Sequence, residues 1–119
     1  MEAVNLAEKF SRFQDYWQPK IVGELDDYHV KLVKVKGEFV WHRHEAEDEM
    51  FLVVKGQLRI RLRDGEITLN PGEMTIIPHH VEHMPVAAEE THVLLLERKA
   101  TLNTGNVQNE RSVTAEEWI

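Results

Sequence analysis

The chain has no cysteine, which excludes disulfides, thiolate nucleophiles, zinc-thiolate sites and iron-sulfur clusters. No apolar run approaches the length that spans a bilayer, and the opening MEAVNLAEKF lacks the basic-then-apolar order of a secretory signal. A cytoplasmic location with no membrane partner is the expectation. Basic residues are few: 14 Lys plus Arg stand against 21 Asp plus Glu, a formal charge of -7. Such a field repels polyanions, so no nucleic-acid partner is expected. Serine is confined to Ser11 and Ser112, and there is no G-x-S-x-G elbow, phosphate-cradling glycine loop or dinucleotide fingerprint. Nucleophilic hydrolysis is set aside. With 119 residues, 42% hydrophobic and 29% charged, the chain has the composition of one folded domain and too little length for two.

What is present divides into three parts. Leu6, Phe10, Phe13 and Trp17 recur at i, i+4, i+7 and i+11 and Pro19 comes next, which predicts an amphipathic helix over residues 1–18. From residue 28 to 98 short Val/Ile/Leu-rich runs alternate with turn signals, the pattern of an all-β sandwich or barrel. In residues 57–63, Leu58, Ile60 and Leu62 alternate with Arg59, Arg61 and Arg63, and Asp64-Gly65 then favours a tight hairpin. Met74 to Ile77 reads as a strand, and Thr91 to Glu97 as one covered on both faces. Residues 100–119 form a loop-rich tail, where Thr114 and Glu117 have capping-box spacing for a short helix.

Five of the seven histidines fall in two windows, His42 and His44, then His79, His80 and His83. In an extended 39–44 segment His42 and His44 point the same way, and Glu49 opens an apolar strand, Met50 to Val54, that a hairpin would lay beside them. His83 comes from a later strand, after Pro78. Three neutral imidazoles and one carboxylate suit one divalent transition metal, Fe, Mn, Ni, Cu or Zn, and do not suit Ca or Mg.

The stretch from Gly37 through His42, His44 and Glu49 to Gly56 resembles the first motif of the cupin superfamily, G-x5-H-x-H-x3-4-E-x6-G, and Gly72, Pro78 and His83 match the second, G-x5-P-x-G-x2-H-x3-N. Fifteen residues separate Gly56 from Gly72, as in small single-domain cupins. Gly37 stands one residue too close to His42, His80 replaces the second motif's second glycine, and Ala87 replaces its asparagine. His80 must therefore fit a turn where glycine is usual. The resemblance implies a jelly-roll barrel, the double-stranded β-helix, with His42, His44, Glu49 and His83 as metal ligands.

Four ligands leave positions open on a six-coordinate metal. Iron there would suit dioxygenase-like cleavage of a small diol or diketone, and zinc or manganese a Lewis-acid role such as sugar isomerisation. The alternative is a non-catalytic binding or regulatory cupin whose metal anchors a small-molecule ligand or stabilises the barrel. The barrel interior reads as a dry wall of Val, Leu, Ile, Phe and Met. His79, His80 and Glu82 are the nearest candidates for proton transfer. The arginine row is expected to be a solvated face or subunit contact, Phe39 and Trp41 to be packing residues, and His29 and His92 to be hydrogen-bonded structural histidines. The apolar helix stripe needs a surface to cover, and a homodimer is expected.

Overall fold

A computed structural model describes every residue except Arg111 and Thr114. The body is all β: β1 (Lys20–Leu25), β2 (Tyr28–Glu38), β3 (Glu49–Lys55), β4 (Leu58–Leu62), β5 (Gly65–Leu69), β6 (Met74–Ile77), β7 (His83–Arg98) and β8 (Glu117–Trp118). The long strand β7 organises the fold. Its first residues pair with β4, through Leu62↔His83 and Ile60↔Pro85, and its later residues pair with β3, through Glu49↔Glu97 and Val53↔Val93. Strand β2 runs antiparallel along β7 from Tyr28↔Arg98 to Glu38↔Val86, so both strands pass through two layers that close around one interior. This is the expected jelly-roll.

Alternation fills that interior. Val33 and Val35 of β2, Phe51 and Val53 of β3, Leu58 and Ile60 of β4, and Val93 and Leu95 of β7 form a single buried cluster. Burying each such side chain contributes about 1.5–3 kcal/mol. A tight hairpin joins β4 to β5 as expected, but one residue earlier than the Asp64-Gly65 signal: Leu62↔Gly65 is the last pair, so Arg63 and Asp64 make the turn and Gly65 opens β5.

The N-terminal helix is much shorter than the predicted 1–18. Helix α1 spans Leu6–Phe10, and the side chain of Asn5 caps it by accepting the Glu8 N–H at 3.0 Å. A helix this short is marginal alone, and packing dictates the path of the chain beyond it. Trp17 adopts a φ of 60°, outside any helix, because its backbone N–H donates to the Lys34 carbonyl (2.8 Å) and its indole N–H to the Lys36 carbonyl (3.0 Å). The apolar stripe therefore splits. Phe10 and Phe13 cover the outer face of the sheet against Leu32 and Leu94, while Trp17 enters the barrel core.

The tail folds back on its own barrel. Strand β8 pairs in parallel with β1 (Lys20↔Glu117, Ile21↔Trp118), and the Ile119 N–H donates to the Ile21 carbonyl at 3.0 Å. Glu117 is thus extended and not helical; its capping partner Thr114 lies outside the described residues. Among the described residues no helix is long and apolar enough to cross a membrane.

Candidate metal centre

His42 and His44 lie on the irregular segment between β2 and β3, not on a strand paired with β3 as a hairpin would require; β3 pairs with β6 and β7 instead. A single antiparallel bridge positions the segment: the His42 N–H donates to the His83 carbonyl (3.0 Å) and the His83 N–H to the His42 carbonyl (2.9 Å). That bridge sets the two rings 4.3 Å apart. Two further contacts hold the segment down. The His80 N–H donates to the His44 carbonyl at 2.7 Å, and Asn106 of the tail exchanges bonds with the Arg43 backbone at 2.8 and 2.9 Å. Gly105, at φ +58°, lies so close that a Cβ there would meet the Arg43 carbonyl oxygen at 2.3 Å, which explains the glycine.

His42, His44, Glu49 and His83 are buried, and one ligand atom from each lies within 4.8 Å of all the others. Donors bonded to one cation at ~2.1 Å stand at most ~4.2 Å apart, so a small contraction would seat an ion. The ring nitrogens are already assigned. His42 Nδ1 and His83 Nδ1 each lie 2.9 Å from a carbonyl, of Val40 and Val81, which can only accept, so both Nδ1 atoms carry the proton. Their Nε2 lone pairs face the centre. His44 Nε2, Glu49 Oε1 and His83 Nε2 are buried without a hydrogen-bond partner, with Glu49 Oε1 at 3.3 Å from His44 Nε2 and 3.6 Å from His83 Nε2. Orphaned lone pairs and a carboxylate around one point fit a divalent transition metal.

Electrostatics divides the four. Burial, aided by the neighbouring His83, pushes His42 down to about 4, so it stays neutral and ready to ligate. Burial also works against a charge on His44, but the Glu49 carboxylate outweighs it and raises His44. Glu49 is held well below the ordinary range: burial opposes this, and the nearby polar groups of Glu97, His44 and His83 overcome it.

Behind Glu49 lies a charged group that strand patterning did not single out. Lys31 is fully buried, 2.8 Å from Glu97 Oε1 and in contact with Glu116 of the tail. Burial and the charge of Glu49 push Glu97 well above the usual carboxylate range. Lys31 is lowered by burial but raised further by Glu97 and Glu116, and so stays charged. Phase along the strands carried the signal, since Lys31 shares its face with Val33 and Val35, and Glu97 with Val93 and Leu95.

A cavity of about 40 Å³ adjoins the centre, with Val33, Val35, Phe51, Leu58 and Leu95 among its walls and His42, Glu49, Glu97 and Asn103 as its polar lining. The dry wall is therefore interrupted at one end. Phe39 both packs and lines: it stacks on Trp17 (4.7 Å), meets His42 edge-on (5.4 Å) and borders the cavity. An open recess of about 220 Å³ lies outside His44, between Glu45, Glu47 and tail residues Leu102 and Asn106.

The other singled-out residues lie away from the centre. His79 and His80 are exposed and pair with Asp48 (2.9 Å) and Glu45 (3.2 Å); His80 has φ 70°, the conformation expected where glycine is usual. Glu82 pairs with Arg63 at 3.3 Å, whose guanidinium covers the Trp41 ring. Arg59 and Arg61 meet Glu66 and Glu38, so within one chain the row is exposed and ion-paired. His29 and His92 contact Glu24 and Glu90.

A β-barrel that gathers three imidazoles and a carboxylate in its interior, where they could hold a metal ion, fits a metal-binding barrel protein. The family profile for the cupin domain matches residues 29–97, and the chain belongs to that family. It is similar to a solved cupin-2 domain protein of Shewanella frigidimarina, with 49% identity, 81% of this chain and 94% of that one covered, and a TM-score of 0.80. Among curated proteins it is 33% identical to YdbB of Bacillus subtilis over 66% of this chain and 70% of that protein. It is also 35% identical to 3-hydroxyanthranilate 3,4-dioxygenase 2 of Aspergillus clavatus over 64% of this chain, but spans only 42% of that enzyme.

Proposed function

We infer that the chain is a metal-dependent enzyme acting on a small organic molecule, with dioxygenase-like or isomerase-like chemistry at His42, His44, Glu49 and His83. One observation carries the reading: His44 Nε2, Glu49 Oε1 and His83 Nε2 are buried, share a centre and have no hydrogen-bond partner. Leaving such groups unmatched costs about 1–3 kcal/mol each, which a cation would offset. A bound divalent transition metal supplies Lewis-acid polarisation or, if iron, oxygen chemistry.

The chain's own residues set the conditions for that chemistry. The Val40 and Val81 carbonyls fix the imidazole tautomers, and Phe51, Leu58 and Leu95 keep the inner side of the centre dry. Glu97, opposite Glu49 in register, lines the cavity wall. Likeness to a dioxygenase supports the oxygen branch, although this chain spans under half of that enzyme.

A second reading has its own support. The inner cavity, about 40 Å³, is far below the ~300–1,000 Å³ of ordinary ligand pockets. This favours a metal that stabilises the barrel or anchors a very small ligand, without turnover. Elemental analysis of the purified protein, with subsequent titration of the stripped protein with Fe(II), Mn(II) and Zn(II), tests both. One equivalent of metal is expected, lost in a His42→Ala, His44→Ala variant. Iron with substrate-dependent oxygen consumption supports the enzyme; metal without turnover across diols, diketones and sugars supports the second reading. Failure of all three ions to bind sinks the metal reading.

A further inference from the structure

Three adjacent strands place a charge at the same end of their inward rows: Lys31 on β2, Glu97 on β7 and Glu49 on β3, with Glu49 and Glu97 directly opposite in register. Lys31 is wholly enclosed, and its ammonium serves two carboxylates, Glu97 from the barrel and Glu116 from the tail. Each of those carboxylates gives one oxygen to Lys31 and keeps the other, Oε2, buried without a partner. Glu116 immediately precedes β8, the strand that closes over β1. The candidate metal ligand Glu49 is thus joined to the C-terminal strand by a continuous line of buried ionisable groups, Glu49, Glu97, Lys31, Glu116.

We propose that Glu97, Lys31 and Glu116 are positioning residues that couple occupancy of the metal centre to docking of the C-terminal strand, a proposal that rests on the metal-binding reading. The charges set the sign. A divalent cation beside Glu49 repels the Lys31 ammonium, which makes the Glu116 carboxylate more valuable where it is. Conversely, removing the Glu116 charge leaves Lys31 less compensated; its positive charge then bears on the centre and draws Glu97 away from Glu49. Metal and docked tail favour one another, and because the linkage is reciprocal the two effects have equal size. Other tail contacts, Asn106 on the Arg43 backbone and Gly105 against His42, give the docked tail a second purchase on the ligand segment.

The test uses the full chain and Zn(II) or Mn(II) alone. Metal affinity is measured by competition with a chromophoric chelator in wild type and Glu116→Gln, and amide exchange of the 115–119 segment is tracked with and without metal. Partners outside the ligand shell typically change affinity by ~10–100-fold; Glu116, two residues beyond Glu97 along that line, is expected at the lower end, about tenfold weaker in Glu116→Gln. Wild-type exchange at Trp118 and Ile119 should slow by a similar factor on metal loading, and that slowing should vanish in Glu116→Gln. A purely structural Glu116 would lower the melting temperature of the stripped protein and leave metal affinity unchanged. Wild type that binds metal with neither change, or with only one of the two, overturns the coupling alone. Wild type that binds no metal overturns the coupling together with the functional reading beneath it. Glu116 sits on the tail, outside the barrel core, so the variant keeps a folded barrel.

Discussion

Along β2, β3 and β7 the same inward-facing rows begin charged and end apolar: Lys31 gives way to Val33 and Val35, Glu49 to Phe51 and Val53, Glu97 to Leu95 and Val93. Both ends are equally buried, yet they contribute in opposite ways. The apolar end gains free energy from every methylene removed from water. The charged end loses hydration, and its ion pairs at best restore what burial took away. One end therefore holds the barrel together, and the other carries the candidate site at some cost.

Removing metal should produce the largest contrast between them. Metal at ~1,000 times its dissociation constant adds about 4.1 kcal/mol if the unfolded chain does not bind it. Thermal melts with and without chelator should differ accordingly, and the His42→Ala, His44→Ala variant should melt the same in both. Ile60→Ala, at a fully buried position of the apolar end, should cost about 2–5 kcal/mol in chemical denaturation while leaving metal stoichiometry unchanged. Loss of metal from Ile60→Ala protein that is still folded would show that the two ends are not separable.

The apolar end was legible in the sequence, and the charged end only in part. Leu58, Ile60 and Leu62 alternate strictly and form the strand that local pattern puts there, and the Asp64-Gly65 signal marks its hairpin to within one residue, the turn falling on Arg63 and Asp64. The four candidate ligands were legible because their motif spacing is short-range within each half. Lys31 and Glu97 were not, since a buried charge is tolerable only with partners, and these partners lie 66 residues apart in sequence and again in the tail. The helix was overextended for a related reason. Periodicity at Leu6, Phe10, Phe13 and Trp17 reports which residues are buried; it does not report that Trp17 is buried by another route, tied to β2 by its own N–H groups.

Acid should affect the site end next. His42 falls from the ordinary histidine value to about 4 on folding, so between those values the unfolded chain binds a proton that the folded chain refuses. Stability is full above ~6.5 and is lost as pH falls toward about 4, by roughly 3 kcal/mol in the stripped protein. His44 acts in a separate window: its raised value gives stability that is complete below ~6.5 and lost as pH rises through that value. Glu97, held high by burial and Glu49, opposes His42 over part of the acid interval. The prediction is therefore a difference: stripped His42→Gln should lose less stability than wild type between pH 6.5 and 4. Parallel stability curves would show that His42 is not neutral in the folded chain.

The smallest effect should come from the sequence neighbour of the buried Ile60. Arg61 comes after Ile60 on β4 but points outward, 3.1 Å from Glu38, with both side chains more than a third exposed. An exposed pair is worth at most about 1 kcal/mol, because water already solvates both charges and salt screens what remains. Arg61→Ala should thus shift the denaturation midpoint slightly, and less still at high salt, while Ile60→Ala one residue away shifts it several-fold more at any salt. Since strand alternation alone separates the two positions, a large and salt-insensitive loss for Arg61→Ala would mean that this face is covered in solution, by a second copy or another partner, and that the outward row belongs to an interface.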